Sequence, residues 1–273
     1  LAALIFAAIV DIRIKEVPDW VSYSLMIAGI MIRLIHSVVF NEWLYFLYGI
    51  LGLGATFFVG SVLYHIKQWG GGDAKLLMGL GATLATKPFY LPESSLPFLL
   101  TLFLYIIITG AIYGIIWSVS LILLNLDKFM HEYKALLKDG KGNTMHVTSI
   151  VGSLMILSMV LIVDSTKMMI LIIVFSMMLG LYFYLFVGIK SVENICLYKR
   201  IPPVKLVEGD WLAEDVKLRN KVVLSRRTII QKNHISELQK LNIRRVLIKE
   251  GIPFVPPFLL GTVLALIVGN PFF

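Results

Sequence analysis

Two acidic residues stand where a largely apolar chain keeps them only at a cost. Asp73 closes the run Gly70-Gly71-Gly72-Asp73 and is followed by Ala74-Lys75, with apolar stretches on both sides, Trp43 to Ile66 and Leu76 to Ala85. Asp11 follows the apolar run Leu1 to Val10. A carboxylate at the mouth of a membrane helix is by default read as functional. Two carboxylates sharing one site do not both ionise readily, so one holds a proton. The ionised partner can take a proton from water as that water attacks an amide carbon, while the protonated one polarises the carbonyl oxygen. This is general acid–base peptide hydrolysis without a covalent intermediate. It leaves the roles of Asp11 and Asp73 unassigned, because a coupled pair titrates as one system.

The glycines suit such chemistry. Three in a row leave a backbone without side-chain walls, open to close approach of another chain. A peptide must be extended to be cut, and its unpaired backbone groups need partners inside a membrane protein. Gly70, Gly71 and Gly72 are the candidates to supply them. The plainer alternative is a tight helix start with Asp73 as its N-cap. Glu16 and Asp19 sit beside the proposed site and are candidates to hold a basic peptide by charge, against a solvated turn and a helix cap. Lys75, two positions from Asp73, points away from it on a helix. It is expected to reach lipid headgroups rather than pair with another acid.

The elements that must position these residues are membrane helices. Of the 273 residues, 58% are hydrophobic and 15% charged, with a mean hydropathy of +0.84; a soluble domain carries about 25% charge. Spans are expected at Trp20–His36, Trp43–Ile66, about Ala74–Thr86, Pro97–Leu126, about Val147–Val163, about Met168–Ile189 and Pro253–Gly269. Leu1 to Val10 makes a first span only if the helix continues to about Val17 or starts upstream of Leu1. Pro18 is expected to stop the first helix and Asp19 to cap the second. Gly110-Ala-Ile-Tyr-Gly114 is a GxxxG spacing, for packing within the chain or in a dimer. Asp127 to His146 is a polar segment, and Asp164 to Lys167 links two antiparallel spans.

Residues 190–252 differ, with fourteen Lys/Arg against seven Asp/Glu. Short β-type runs, Val204–Val207, Val222–Leu224 and Arg245–Ile248, flank a helical pattern at Asn233–Leu241, and Glu208-Gly209-Asp210 reads as a turn. The expected fold is thus an all-α polytopic membrane protein of about eight transmembrane helices, with a small cytoplasmic α/β domain before the last helix. Its parts are a bundle at 1–189, the basic domain at 190–252 and a C-terminal helix at 253–273. Placing the first turn in the cytoplasm puts 21 of the 25 basic residues there, Lys67 among them. Asp11 and Asp73 then lie at one depth, at the cytoplasmic edge. The single cysteine, Cys196, excludes an internal disulfide, and the five histidines show no ligand spacing, so no metal or cofactor is expected. The positive charge suits anionic headgroups, since nothing resembles a nucleic-acid recognition motif.

Asp11 with Val17-Pro18 six residues on, Gly70-x-Gly72-Asp73-x-Lys75-Leu76, then Gly79 and Gly81-Ala82, resembles the type IV prepilin peptidases. The archaeal branch, with its preflagellin peptidases, is the nearer likeness. Pro253-Phe254-Val255-Pro256-Pro257-Phe258-Leu259-Leu260-Gly261 resembles the proline-rich last helix of that family. The similarity covers roughly 1–125 and 253–270. It implies a GxGD-type membrane aspartic endopeptidase in the cell membrane that cuts short basic leaders from prepilin or preflagellin precursors. Asp11 and Asp73 match its catalytic aspartates, and Gly70 and Gly72 its motif glycines. The Cys-x-x-Cys loop of many bacterial relatives is absent, so neither methyltransferase activity nor zinc is expected. The expected partners are the precursor proteins and the lipid bilayer, not nucleic acid, with a homo-oligomer left open. The alternatives are a presenilin-like intramembrane protease, which would set the aspartates deeper, and a transporter using the pair as proton sites, for which the other spans offer almost no polar residues at mid-depth.

Overall fold

Long apolar stretches must close their backbone hydrogen bonds within themselves, and helices do so. In a computed structural model of the protein, residues 1–66, 68–92, 96–163, 165–206, 208–218, 221–226, 228–241, 243–249 and 251–270 are described. Lys67, Asp164 and Val207 lie outside these residues. Two compact units form, residues 1–115 with 251–273, and residues 116–250.

The first unit holds α1 (Ala2–Ile14), α2 (Asp19–Phe40), α3 (Trp43–His65), α4 (Gly71–Thr83), the first part of α5 (Phe98–Leu124) and, numbered last in chain order, α10 (Val255–Val268). Here α4 is the inner helix. Ala74, Leu76, Leu77, Gly79, Leu80, Gly81 and Ala82 are all buried, packed between α2 and α3. Small residues permit that closeness: a Cβ on Gly81 would collide with Thr56, and one on Gly60 would lie 3.2 Å from the Ala74 carbonyl. The other side of the core is α1 against α10, with Leu4, Ala7, Ala8, Val255, Phe258 and Ala265 buried in it.

The second unit continues α5 and adds α6 (Leu126–Lys138), α7 (Gly140–Ser158), α8 (Thr166–Val192) and α9 (Lys232–Lys240). The supposed polar segment at 127–146 is helical, because Phe129, Tyr133, Leu136 and Leu137 recur at helical spacing and give α6 a half-buried apolar face. α7 and α8 pack antiparallel, with Ser149 Oγ donating to Leu179 O at 2.6 Å and Ser153 and Ser176 hydroxyls 3.0 Å apart. The strand-containing region pairs β1 (Tyr198–Ile201) and β2 (Trp211–Leu212) to either side of β5 (Val246–Lys249), both antiparallel; β3 (Val216–Leu218) pairs with β4 (Lys221–Leu224). Leu206, Leu212, Ile230, Leu238, Val246 and Ile248 form its core. Of the run Val204–Val207, Val204 and Lys205 belong to a 3-10 turn at Pro203–Lys205, because Pro203 has no N–H for a ladder. The strand lies upstream, at Tyr198–Ile201.

Five helical stretches among the described residues are long and apolar enough to cross a membrane: Asp19–Phe40, Trp43–His65, Phe98–Leu124, Asn143–Ile162 and Thr166–Leu197. They keep Ile27, Phe58, Leu124 and Met177 outward, as surfaces meant for lipid do. α1, α4 and α10, where the first, fourth and eighth spans are expected, have 13, 13 and 14 residues, below the roughly 20 a straight span needs.

Candidate active site

Asp11 lies in the last turn of α1, which runs past the apolar stretch to Ile14. The helix ends before Pro18: Lys15 adopts the left-handed conformation (φ 57°), and its N–H bonds Asp11 O at 2.8 Å. The Asp11 side chain turns inward and the residue is 4% exposed. Its Oδ2 accepts the Val255 N–H at 2.8 Å, and the Phe254 amide faces it as well. The first N–H groups of a helix have no partner within it. In α10 two of these are missing, since Pro256 and Pro257 follow Val255. Of the remaining two, from Phe254 and Val255, the Val255 N–H is the one that bonds Asp11.

Asp73 is the third residue of α4, and Gly70, not Asp73, is the N-cap. Its Oδ2 accepts the Gly70 N–H at 3.1 Å, the one half of a capping box that a glycine cap allows. Asp73 is half-buried. Although 62 positions apart, Asp11 and Asp73 are close enough for the charge of one to act on the other. Gly70, Gly71 and Gly72 all have ordinary negative φ. Gly72 is the one pressed by a neighbour: a Cβ there would lie 3.0 Å from the Val17 Cβ. Val17, in the turn between α1 and α2, thus lies against the glycine motif.

The turn's acids have settled positions. Asp19 is the first residue of α2, whose N-cap is Pro18. Its Oδ1 meets Lys75 Nζ at 2.6 Å, and that ammonium is 5.5 Å from the Tyr23 ring centroid. Lys75 therefore pairs with an acid instead of reaching for headgroups, tying the start of α2 to the start of α4. Glu16 is half-buried beside the same turn.

Two features escape a sequence reading. Trp69, just before the motif, is buried among Phe103, Phe254 and Phe258, with ring centroids 6.2, 5.7 and 5.1 Å away. Arg33 is fully buried at the far end of α4, its guanidinium on the carbonyls of Ala82 and Thr83. A pocket of about 360 Å³ opens near that end, lined in part by Tyr48, Thr86, Lys87 and Thr101, and holds neither aspartate.

Both aspartates and the whole glycine motif fall in the stretch that a known family shares. Residues 1–115 match the model of the type IV leader peptidase family. The resemblance read from Asp11, Val17-Pro18 and Gly70–Asp73 is thereby borne out for that stretch. A preflagellin peptidase of Methanocaldococcus jannaschii is 36% identical over 81 residues, covering 30% of this chain and 34% of the relative. One of Methanococcus maripaludis is 30% identical over 79 residues, covering 29% and 34%. The chain thus spans about a third of the length of these curated relatives. No solved structure matches it.

Proposed function

We propose that this protein is a membrane aspartic endopeptidase that removes short basic leaders from prepilin- or preflagellin-type precursors at the cytoplasmic edge of the cell membrane, with Asp11 and Asp73 as its catalytic pair. The observation that carries this reading is that two carboxylates from separate helices, inside the stretch that matches the leader peptidases, are bridged by one set of contacts: Asp11 on the Val255 N–H, Phe254 and Phe258 on Trp69, and Asp73 on the Gly70 N–H next to it. The names of the relatives support the substrate class. One carboxylate, ionised, takes a proton from water as the oxygen attacks the scissile carbonyl carbon. The other, protonated, donates to the carbonyl oxygen, giving a neutral gem-diol. Collapse of that intermediate breaks the C–N bond, the amine leaving with a proton from the pair. The Gly70 N–H is engaged by Asp73, so substrate backbone groups fall to Gly71 and Gly72. Glu16 and Asp19 attract the basic leader, Asp19 weakened by Lys75.

The test uses purified protein in detergent and a preflagellin-like peptide. Wild type cleaves once, between the charged leader and the hydrophobic segment, and Asp11→Asn and Asp73→Asn each abolish cleavage while staying folded. Activity surviving either substitution removes the pair.

A further inference from the structure

We propose that the first turn of α10, Phe254 to Pro257, is a positioning element for both aspartates, with the Val255 backbone N–H as the donor that orients the Asp11 carboxylate. This rests on the catalytic reading of Asp11 and Asp73 and adds a segment beyond residues 1–115, the stretch that matches the leader-peptidase model.

Three sets of contacts converge on that turn. Toward α1, the Val255 N–H meets Asp11 Oδ2 at 2.8 Å in a buried setting. Pro256 and Pro257 carry no N–H, so the donors left at this helix start are aimed at one carboxylate, which the positive end of the helix dipole also favours. Toward the glycine motif, the Phe254 and Phe258 rings pack on Trp69, whose next residue, Gly70, gives its N–H to Asp73. Toward α5, the turn is held from behind. Thr109 Oγ1 donates to Pro257 O at 3.0 Å, and Gly110 leaves the space that the Phe254 ring fills, since a Cβ there would lie 2.6 Å from its Cζ. Gly110, noted above as half of a GxxxG spacing, is thus used within the chain, whereas Gly114 has nothing within 4 Å. One turn therefore contacts Asp11 directly and Asp73 through Trp69 and Gly70. A shift of that turn moves both carboxylates, and a pair that shares one proton depends on their separation.

The variant that separates positioning from packing is Val255→Pro. It deletes the N–H and also biases Phe254 away from its present conformation (φ −112°, ψ −6°). Val255→Ala trims the same buried side chain but keeps the N–H. A hydrogen bond to a carboxylate favours its ionised form. Its loss raises the pH at which the pair becomes doubly protonated. In Val255→Pro the acidic limb of the cleavage profile is expected to move up by about one pH unit, and kcat to fall roughly tenfold or more with KM nearly unchanged. Val255→Ala keeps the wild-type limb. Thr109→Val, which loosens the turn from the α5 side, moves the limb in the same direction by less, and it serves if Val255→Pro does not fold. An unmoved limb in Val255→Pro or, where that variant does not fold, in Thr109→Val overturns the proposal, as does an equal shift in Val255→Ala. A second readout needs no substrate: the Asp11 carboxyl stretch, assigned by its loss in Asp11→Asn, is followed against pH by infrared difference spectroscopy. A wild type that cleaves nothing, yet shows the Asp11 band shifted in Val255→Pro, defeats the peptidase reading and leaves the contact standing. A cleaving wild type with an unshifted band does the reverse.

Discussion

Replacing Arg33 with Met asks how α4 is held at the end remote from Asp73. Arg33 is 2% exposed, and among the described residues it meets no carboxylate. Its Nε donates to Ala82 O at 2.9 Å, its Nη2 to Thr83 O at 3.0 Å and Thr86 Oγ1 at 3.1 Å, and its Nη1 to Tyr45 O at 3.0 Å. The guanidinium also lies over the Tyr45 ring, 4.3 Å from its centroid, and Gly49 leaves room for its stem. Ala82 and Thr83 supply the last carbonyls of α4, where the aligned peptide dipoles amount to roughly half a negative charge. The Arg33 side chain is therefore a charged cap on the helix that carries Asp73. Hydrogen bonds to a charged group contribute about 1.5–3 kcal/mol each, but burying the guanidinium costs several kcal/mol, so the gross sum overstates the loss. Met removes that cost and leaves buried carbonyls without donors, at about 1–3 kcal/mol apiece. The expected net loss is about 3–5 kcal/mol. Arg33→Lys should recover less than half, because a single ammonium cannot reproduce a planar fork that reaches four acceptors. Unfolding of purified protein in matched detergent measures the loss, with cleavage per folded molecule read in parallel and falling much less. A loss under about 1 kcal/mol, or full recovery by Lys, would refute the capping account.

Lys75→Met frees Asp19 for a basic leader, so KM for a Lys/Arg-rich peptide should fall about twofold to fivefold. Stability should change by less than about 1 kcal/mol, because the pair is partly exposed. Gly81→Ala should destabilise by about 3 kcal/mol in the same unfolding assay, since its Cβ meets Thr56 and the Gly52 carbonyl where α3 and α4 touch. The pH profile of cleavage should be bell-shaped. At low pH both carboxyls are protonated and no base remains; at high pH both are ionised and no acid remains. A plateau at either extreme contradicts a shared proton.

Much of this was legible because membrane helices announce themselves by length and apolarity. The boundaries of α3 and α5 fall within two residues of the expected Trp43–Ile66 and Pro97–Leu126. What failed was local and polar. Pro18 predicts a stop, but α1 ends four residues earlier, at Ile14, where Lys15 takes up a left-handed turn that no proline signals. The spacing of Lys75 from Asp73 points it to headgroups, whereas the acid it meets, Asp19, lies 56 positions back and leaves no mark in that spacing. α6 is masked by five charged residues in a short segment, although its apolar residues keep helical spacing.

The site itself shows the same division more sharply. Asp11 and Asp73 carry side chains whose chemistry can be named from a string of letters, and a constraint of depth brings them together on paper. Their orientation comes from backbone amides, of Val255 for one and of Gly70 for the other. Every residue but proline has such an amide, so a donor leaves no trace in composition or spacing. The nearest thing to a trace is negative: Pro256 and Pro257 mark where donors are missing, and so which two remain to be used. Gly70 is similar, because the absent side chain leaves the cap's work to Asp73 alone. On the proposed reading either carboxylate can hold the shared proton, and Asp73 is also the group that satisfies the start of α4. Protonating Asp73 therefore weakens its hold on the Gly70 N–H and loosens the first turn of α4, which links the charge state of the pair to the shape of the glycine loop.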